Sequence, residues 1–118
     1  MDIHTNQRAL EYYSRLKRVK EHVDRNLSEE ISLEDAAQIA ATEKTYFSTF
    51  FRKKVGITFT DWLRRLRVAK AMEIIRSRDL SITEVAYEVG FGDLRTFERA
   101  FKKYTKLTPR EFKQSVLP

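Results

Sequence analysis

Residues 80–112 read LSITEVAYEVGFGDLRTFERAFKKYTKLTPREF, and this stretch decides the fold. Ser81 followed three residues later by Glu84 is a capping box, the pairing that satisfies the free amides at the start of a helix. Ile82, Val85, Ala86 and Val89 then recur at the spacing of one helical face. Gly90-Phe91-Gly92-Asp93 interrupts that period with residues suited to a turn. A second helix begins at Asp93 and carries Phe97, Ala100, Phe101 and Tyr104 on one side. Leu94, Arg95, Glu98, Arg99 and Lys102 lie on the other. Two short helices across a tight turn, the second amphipathic and basic, form a helix-turn-helix.

The same pattern occurs earlier in the chain. Ser32-Leu33-Glu34-Asp35-Ala36-Ala37 aligns with residues 81–86, 49 positions further on. Phe47, Phe51, Lys53, Thr58 and Trp62 align with Phe97, Phe101, Lys103, Thr108 and Phe112 at a spacing of 50. The extra residue falls in the turn, where length varies without disturbing either helix. An internal repeat of helix, turn, helix and a further capping box predicts an all-α protein of about seven helices. Its organisation is a tail or linker over residues 1–12, a first helix-turn-helix subdomain over 13–57, a linker helix over 58–78 and a second helix-turn-helix subdomain over 79–118.

Around these hairpins the remaining segments fall into place. Leu16, Val19, Val23 and Leu27 predict an amphipathic helix over residues 13–27. In the first hairpin, Phe47, Phe50 and Phe51 are expected to be buried, with Thr45, Ser48, Thr49 and Arg52 facing outward. Gly56 is placed to end that helix. Thr58 and Asp61 open the long helix, where Trp62, Leu63, Leu66, Val68, Ala69, Met72 and Ile75 cover more than one stripe. Some 20 residues at ~1.5 Å each span ~30 Å. That is close to the ~34 Å repeat of the B-DNA groove, so this helix is expected to set the spacing of two reading heads. Thr108-Pro109-Arg110-Glu111 starts a short final helix that should dock Phe112 where the first repeat uses Trp62.

Composition narrows the partner. The 118-residue chain carries a net charge of +6 with a pI near 9.7, and 42% of it is hydrophobic. Residues 29–43 hold five acids and no base, whereas residues 44–78 hold ten bases against Asp61 and Glu73. Residues 79–92 are acidic again, and residues 93–113 hold seven bases against three acids. Positive charge thus begins at the second helix of each hairpin and continues past it, as a polyanion partner requires. A solvated basic face is the alternative. Lys44, Arg52, Lys53, Lys54, Arg64, Lys102 and Lys103 read as phosphate ligands or solvated charges, and the helix starts at Ser32 and Ser81 offer amides to phosphate as well.

An enzyme is not expected. There is no cysteine, only two histidines (His4 and His22), no Ser/His/acid arrangement and no phosphate-cradling glycine loop. No metal or cofactor is expected. A protein- or RNA-binding helical module is the other rival, but the phenylalanines fall at core spacing and form no stacking platform. Residues 1–5 lack the basic start and apolar core of a signal peptide, and the apolar runs are too short to span a bilayer, so the cytoplasm, with the nucleoid, is the expected compartment and no membrane partner is expected.

The residues named so far resemble the DNA-binding domain of the AraC/XylS family of bacterial transcription regulators. The resemblance rests on Ile31-Ser32-Leu33, Ala37, Phe47, Phe51-Arg52-Lys53, Gly56, Leu66, Arg67, Ala69 and Lys70. It continues through Ile82, Val85-Ala86, Gly90-Phe91, Phe97, Ala100-Phe101-Lys102 and Thr108-Pro109. It implies two helix-turn-helix subdomains bridged by a long helix, control of transcription at asymmetric double-stranded promoter sites, and contact with RNA polymerase. It also implies base contacts from Thr45, Ser48 and Thr49 in the first reading helix and from Leu94, Arg95 and Arg99 in the second. Arginine forks suit guanine O6 and N7, whereas Thr and Ser discriminate weakly, so the second head should carry most of the polar base readout. Many family members place a sensing or dimerising domain ahead of this one, while a smaller group consists of the DNA-binding domain alone, and residues 1–12 fit a severed linker to such a domain as well as a natural start. Ala41 and Lys106 stand where the family usually has Gly, and Glu43 where it usually has a capping Ser, so the first turn must accommodate Ala or adopt another geometry.

Overall fold

A computed structural model describes residues 6–117, apart from the side chains of Gln7, Glu11 and Tyr12. Its helices are α1 (Gln7–Tyr12), α2 (Ser14–Arg25), α3 (Leu33–Ile39), α4 (Lys44–Val55), α5 (Phe59–Ser77), α6 (Ile82–Glu88), α7 (Leu94–Thr105) and α8 (Pro109–Val116). No strand occurs among the described residues. The chain divides into two compact units, and the division falls between Leu63 and Arg64, inside α5.

Local chemistry fixes where the helices start. The Ser32 hydroxyl accepts from the Asp35 amide at 3.0 Å while the Asp35 carboxylate accepts from the Ser32 amide at 3.0 Å. Ser81 with Glu84 and Thr108 with Glu111 make the same reciprocal pair at α6 and α8. At α5 the Thr58 hydroxyl accepts from the Asp61 amide at 3.1 Å. Each arrangement satisfies amides that would otherwise lack a partner in the first turn.

Both hairpins turn on one device. After α3 the Ala41 amide donates to the Gln38 carbonyl and the Thr42 amide to the Ala37 carbonyl, each at 3.0 Å. After α6 the Gly90 amide donates to Tyr87 at 3.1 Å and the Phe91 amide to Ala86 at 3.0 Å. This is the Schellman pattern, which needs a left-handed residue just past the helix. Ala41 (φ 56°) and Gly90 (φ 94°) supply it, so Ala adopts the turn made by glycine in the second repeat. The second helices also end left-handed, at Gly56 (φ 101°) and Lys106 (φ 71°).

In the first unit Leu16, Val19 and Val23 of α2 pack with Ala36, Ala37, Phe47, Phe51, Val55, Phe59, Trp62 and Leu63 in one apolar interior. Phe51 meets Phe59 and Trp62 edge to face, both at 5.5 Å between ring centroids. In the second unit Val68, Ala71, Ile74 and Ile75 of α5 close over Val85, Ala86, Val89, Phe91, Phe97, Ala100, Phe101 and Phe112. Phe101 and Phe112 lie 5.5 Å apart, matching the Phe51–Trp62 distance, so the final helix does dock its aromatic as its counterpart does. The inner rings repeat too, at 5.8 Å for Phe47–Phe51 and 5.7 Å for Phe97–Phe101.

Two expectations need correction. Residues 7–12 form helix α1 within what the sequence suggested was a tail, adding an eighth helix. The segment is held by burial of Ala9 and Leu10 and by an Asn6 amide that donates to the Val55 carbonyl at 2.8 Å. The tail expectation for residues 1–5 lies outside the described residues. Phe50 is half-buried instead of enclosed, because it packs edge-on against Tyr13 at 5.5 Å and parallel to the exposed Tyr46 at 6.0 Å. Among the described residues no helix is long and apolar enough to cross a membrane.

Candidate nucleic-acid interface

Within each unit, the second helix of the hairpin turns one face to the core and the other to solvent. In α4 the buried face is Phe47, Phe51 and Val55. Thr45, Thr49, Arg52 and Lys53 are exposed, and Ser48 is half-buried at the edge. In α7 the buried face is Phe97, Ala100 and Phe101, and Arg95, Arg99, Lys102 and Lys103 are exposed. The candidate residues therefore assemble into one outward strip on each helix, as the helical period requires.

The two strips are anchored differently at their starts. Glu43 occupies the N-cap of α4, and its carboxylate accepts from the Thr45 amide at 2.6 Å. Asp93 caps α7, accepting from the Thr96 amide at 2.7 Å and from the Thr96 hydroxyl at 3.0 Å. Those two bonds, with attraction to Arg99, hold the Asp93 carboxyl below its ordinary pKa. A fixed negative charge at the N-terminus also suits the helix dipole. Asp93 therefore anchors the first turn of α7, the turn that carries Arg95.

Several candidates are engaged elsewhere. The Lys44 ammonium sits 2.6 Å from the Glu34 carboxylate, and this contact pulls the Glu34 pKa down. Both groups are exposed, so the pair is weak and opens readily to a stronger anion. Lys54 lies over the rings of Tyr13 (5.3 Å) and Phe50 (6.0 Å), drawn back onto its own unit by cation–π attraction. Leu94 is half-buried against the second core, which leaves less of it for a base edge. The starts of α3 and α6 are poorer phosphate sites than the sequence suggested. Their capping boxes already occupy amides, and Glu34, Asp35 and Glu84 charge the first turns negatively.

Glu88, an acid of the neighbouring helix α6, pairs with Arg78 at 2.6 Å and not with Arg99. Arg99 instead borders a hollow of about 140 Å³ in the second unit, lined by Arg64, Thr96, Arg99, Ala100, Lys103 and Tyr104. Thr96 was not singled out from the sequence and Tyr104 was read only as part of the Phe97 side of the helix, because the hollow depends on Arg64 of α5 meeting α7. Tyr46 was missed as well. It is 55% exposed on the outward sector of α4, and its place outside the 47/51/55 spacing was the available signal.

Comparison with known proteins agrees with this architecture. A family model described as a helix-turn-helix domain matches residues 36–115. The chain is 32% identical to the regulatory protein PocR of Salmonella typhimurium over 87% of its own length, and it spans 34% of that protein. It is 31% identical to the transposon Tn10 TetD protein of Escherichia coli, covering 95% of this chain and 86% of the relative. A similar fold (TM-score 0.83) is found in the DNA-binding domain of AdpA, a global transcriptional factor solved in complex with a target DNA; it covers 87% of this chain and 93% of that one at 24% identity. With the doubled hairpin, the matched model and these relatives in agreement, the chain belongs to the AraC/XylS-type helix-turn-helix family of transcriptional regulators.

Proposed function

We propose that this chain binds double-stranded promoter DNA in a sequence-specific way, each head laying its second helix, α4 or α7, in a segment of major groove. One observation carries the proposal: both second helices bury an aromatic face in their own unit and expose a polar or cationic strip at the same register. Thr45, Thr49 and Arg52 hold that register in α4, and Arg95, Arg99 and Lys102 hold it in α7. Side chains near the start of a recognition helix reach base edges, and cations further along meet the backbone.

In this assignment Arg95 and Arg99 fork onto guanine, Thr45, Ser48 and Thr49 contact bases with weaker discrimination, and Leu94 touches a thymine methyl with its exposed part. Arg52, Lys53, Arg64, Lys102 and Lys103 meet phosphates, joined by Lys44 once its pair with Glu34 opens; Lys54 joins them only by leaving its rings. The bound chain regulates transcription from a cytoplasmic, nucleoid-located promoter and contacts RNA polymerase. A sensing or dimerising domain joined to this unit supplies the signal.

Selection of bound duplexes from a random library gives the site, and competition with single strands and RNA gives the preference. On the selected duplex, Arg95→Ala and Arg99→Ala each weaken binding by ~1–3 kcal/mol and relax one base position. Equal losses on scrambled DNA would move both arginines to the backbone, and failure to enrich any duplex would end the proposal.

A further inference from the structure

The repeat exposes a difference between the heads that its shared skeleton does not demand. Stepping 50 residues back along the chain, Thr96 and Ala100 become Tyr46 and Phe50, and Lys103 and Tyr104 become Lys53 and Lys54. In the first unit the rings of Tyr46 and Phe50 stack at 6.0 Å, Tyr13 packs edge-on against Phe50, and Lys54 lies over Tyr13 and Phe50. In the second unit the two small side chains leave the hollow of about 140 Å³ bounded by Arg64, Arg99 and Lys103. No acid lines it. Among the described residues none of these three cations sits in an ion pair, although the Lys103 ammonium lies 5.4 Å above the Tyr104 ring. On the hollow's margin the Arg65 guanidinium covers the same ring at 5.2 Å, and the Tyr104 hydroxyl is buried without a hydrogen-bond partner. Three like charges held around one concavity repel one another and attract an anion.

We infer that this hollow is a phosphate seat peculiar to the second head, in which Arg64 and Lys103 clasp a single backbone phosphate of the DNA that α7 reads. The inference rests on the proposed DNA binding and adds a site to it. Two cations from different helices converging on one phosphate fix the register of α7 in the groove, which isolated surface lysines do not. Arg99, on the rim, remains directed at the bases.

The test uses the full chain and its selected duplex. Arg64→Gln and Lys103→Gln should each weaken binding several-fold, equally on selected and scrambled duplex. Because they share one phosphate, the double variant should flatten the slope of log K against log salt by ~0.9 and not by ~1.8. Thr96→Tyr, which copies Tyr46, fills the hollow and leaves every cation and the Thr96 amide bond to Asp93 in place while giving up the hydroxyl bond, should flatten it by a similar amount. Scanning the duplex with single neutral methylphosphonate linkages should find one linkage that costs wild type about tenfold and costs the double variant nothing more. Inorganic phosphate at matched ionic strength should compete no better than chloride. Wild-type duplex binding with Thr96→Tyr unchanged in affinity and slope would overturn the seat and leave the DNA reading intact. Competition by inorganic phosphate without a sensitive linkage would overturn its assignment to DNA. Absence of duplex binding by the wild type would instead remove the reading on which the seat rests.

Discussion

Four left-handed positions, two in each repeat, make an internal experiment on backbone strain. The first repeat has Ala41 in the turn and Gly56 at the end of its second helix; the second has Gly90 in the turn and Lys106 at the end. Ala41 and Lys106 hold φ of 56° and 71°, a region that costs a residue with a Cβ ~1–2 kcal/mol. Substituting glycine removes that cost but returns ~0.4–1 kcal/mol of chain entropy to the unfolded state. The net expectation is a gain of ~0.5–1 kcal/mol for Ala41→Gly and the same for Lys106→Gly. The two sites lie in different units, so the gains should add. At ~4 °C per kcal/mol for a chain of this size, the double variant should melt ~4–8 °C higher. Lys106→Ala controls for the lost charge, since it keeps the strain, and Lys106→Gly should exceed it. Gly56 and Gly90 sit at φ of 101° and 94°, further from the well that a Cβ tolerates, so Gly56→Ala and Gly90→Ala should each destabilise by more than ~1 kcal/mol. Gly92 has no atom within 4 Å of an added Cβ and is not among the positive-φ glycines, so Gly92→Ala should be neutral or slightly stabilising. Urea and thermal unfolding followed by circular dichroism measure all of these. A lower midpoint for both Ala41→Gly and Lys106→Gly would refute the strain argument.

Other expectations follow from packing and caps. Phe101, fully buried against Phe97 and Phe112, should cost ~3–5 kcal/mol as Phe101→Ala, and Phe51→Ala should cost as much in the first unit, both read as urea midpoints. The carboxyls of Glu34, Asp35, Glu84, Asp93 and Glu111 are held below their ordinary values, chiefly by hydrogen bonds in the caps and, for Glu34, by Lys44. A depressed carboxylate contributes stability that is complete above its unfolded pKa and lost as pH falls through its folded one. The melting temperature should therefore drop as pH goes below about 4.5 for the glutamates and below about 3.8 for the aspartates, and Glu84→Gln with Glu111→Gln should shrink that drop. At the start of α4, Glu43→Ala should destabilise by ~1 kcal/mol while Glu43→Ser, a better cap, holds wild-type stability.

What was legible in the sequence is what neighbouring residues decide. A capping box is closed by side chains three positions apart, so Ser32, Ser81 and Thr108 announced their helices directly. The paired phenylalanines sit four apart on one helical face, so the core of each second helix was readable from spacing alone. Helix α1 was not, because six residues with two small or medium apolar side chains give no period, and its anchor, the Val55 carbonyl, lies far along the chain. Burial of Ala71 and Ile74 in α5 also went unread, since a helix with several apolar stripes does not say which of them its neighbours cover. The withdrawal of Lys54 depends on Tyr13, and the hollow beside Arg99 depends on Arg64; both are tertiary facts.

The repeat also explains why the heads differ where they do. Losing a buried ring costs several kcal/mol, whereas changing an exposed side chain usually moves stability by less than ~0.5 kcal/mol. Phe47, Phe51 and Trp62 therefore persist as Phe97, Phe101 and Phe112, while the outward strip is free to change: Thr45 and Thr49 face Arg95 and Arg99 across the repeat. On the proposed reading that freedom gives the chain a direction. Heads with matching strips would prefer the same half-site, so neither half-site would select one head over the other. With guanine forks worth ~1–3 kcal/mol each confined to the second head, placing the first head on the second head's half-site forfeits both at once. On that reading the unequal strips assign each head to its own half-site through side-chain chemistry, while the buried skeleton of the repeat stays the same.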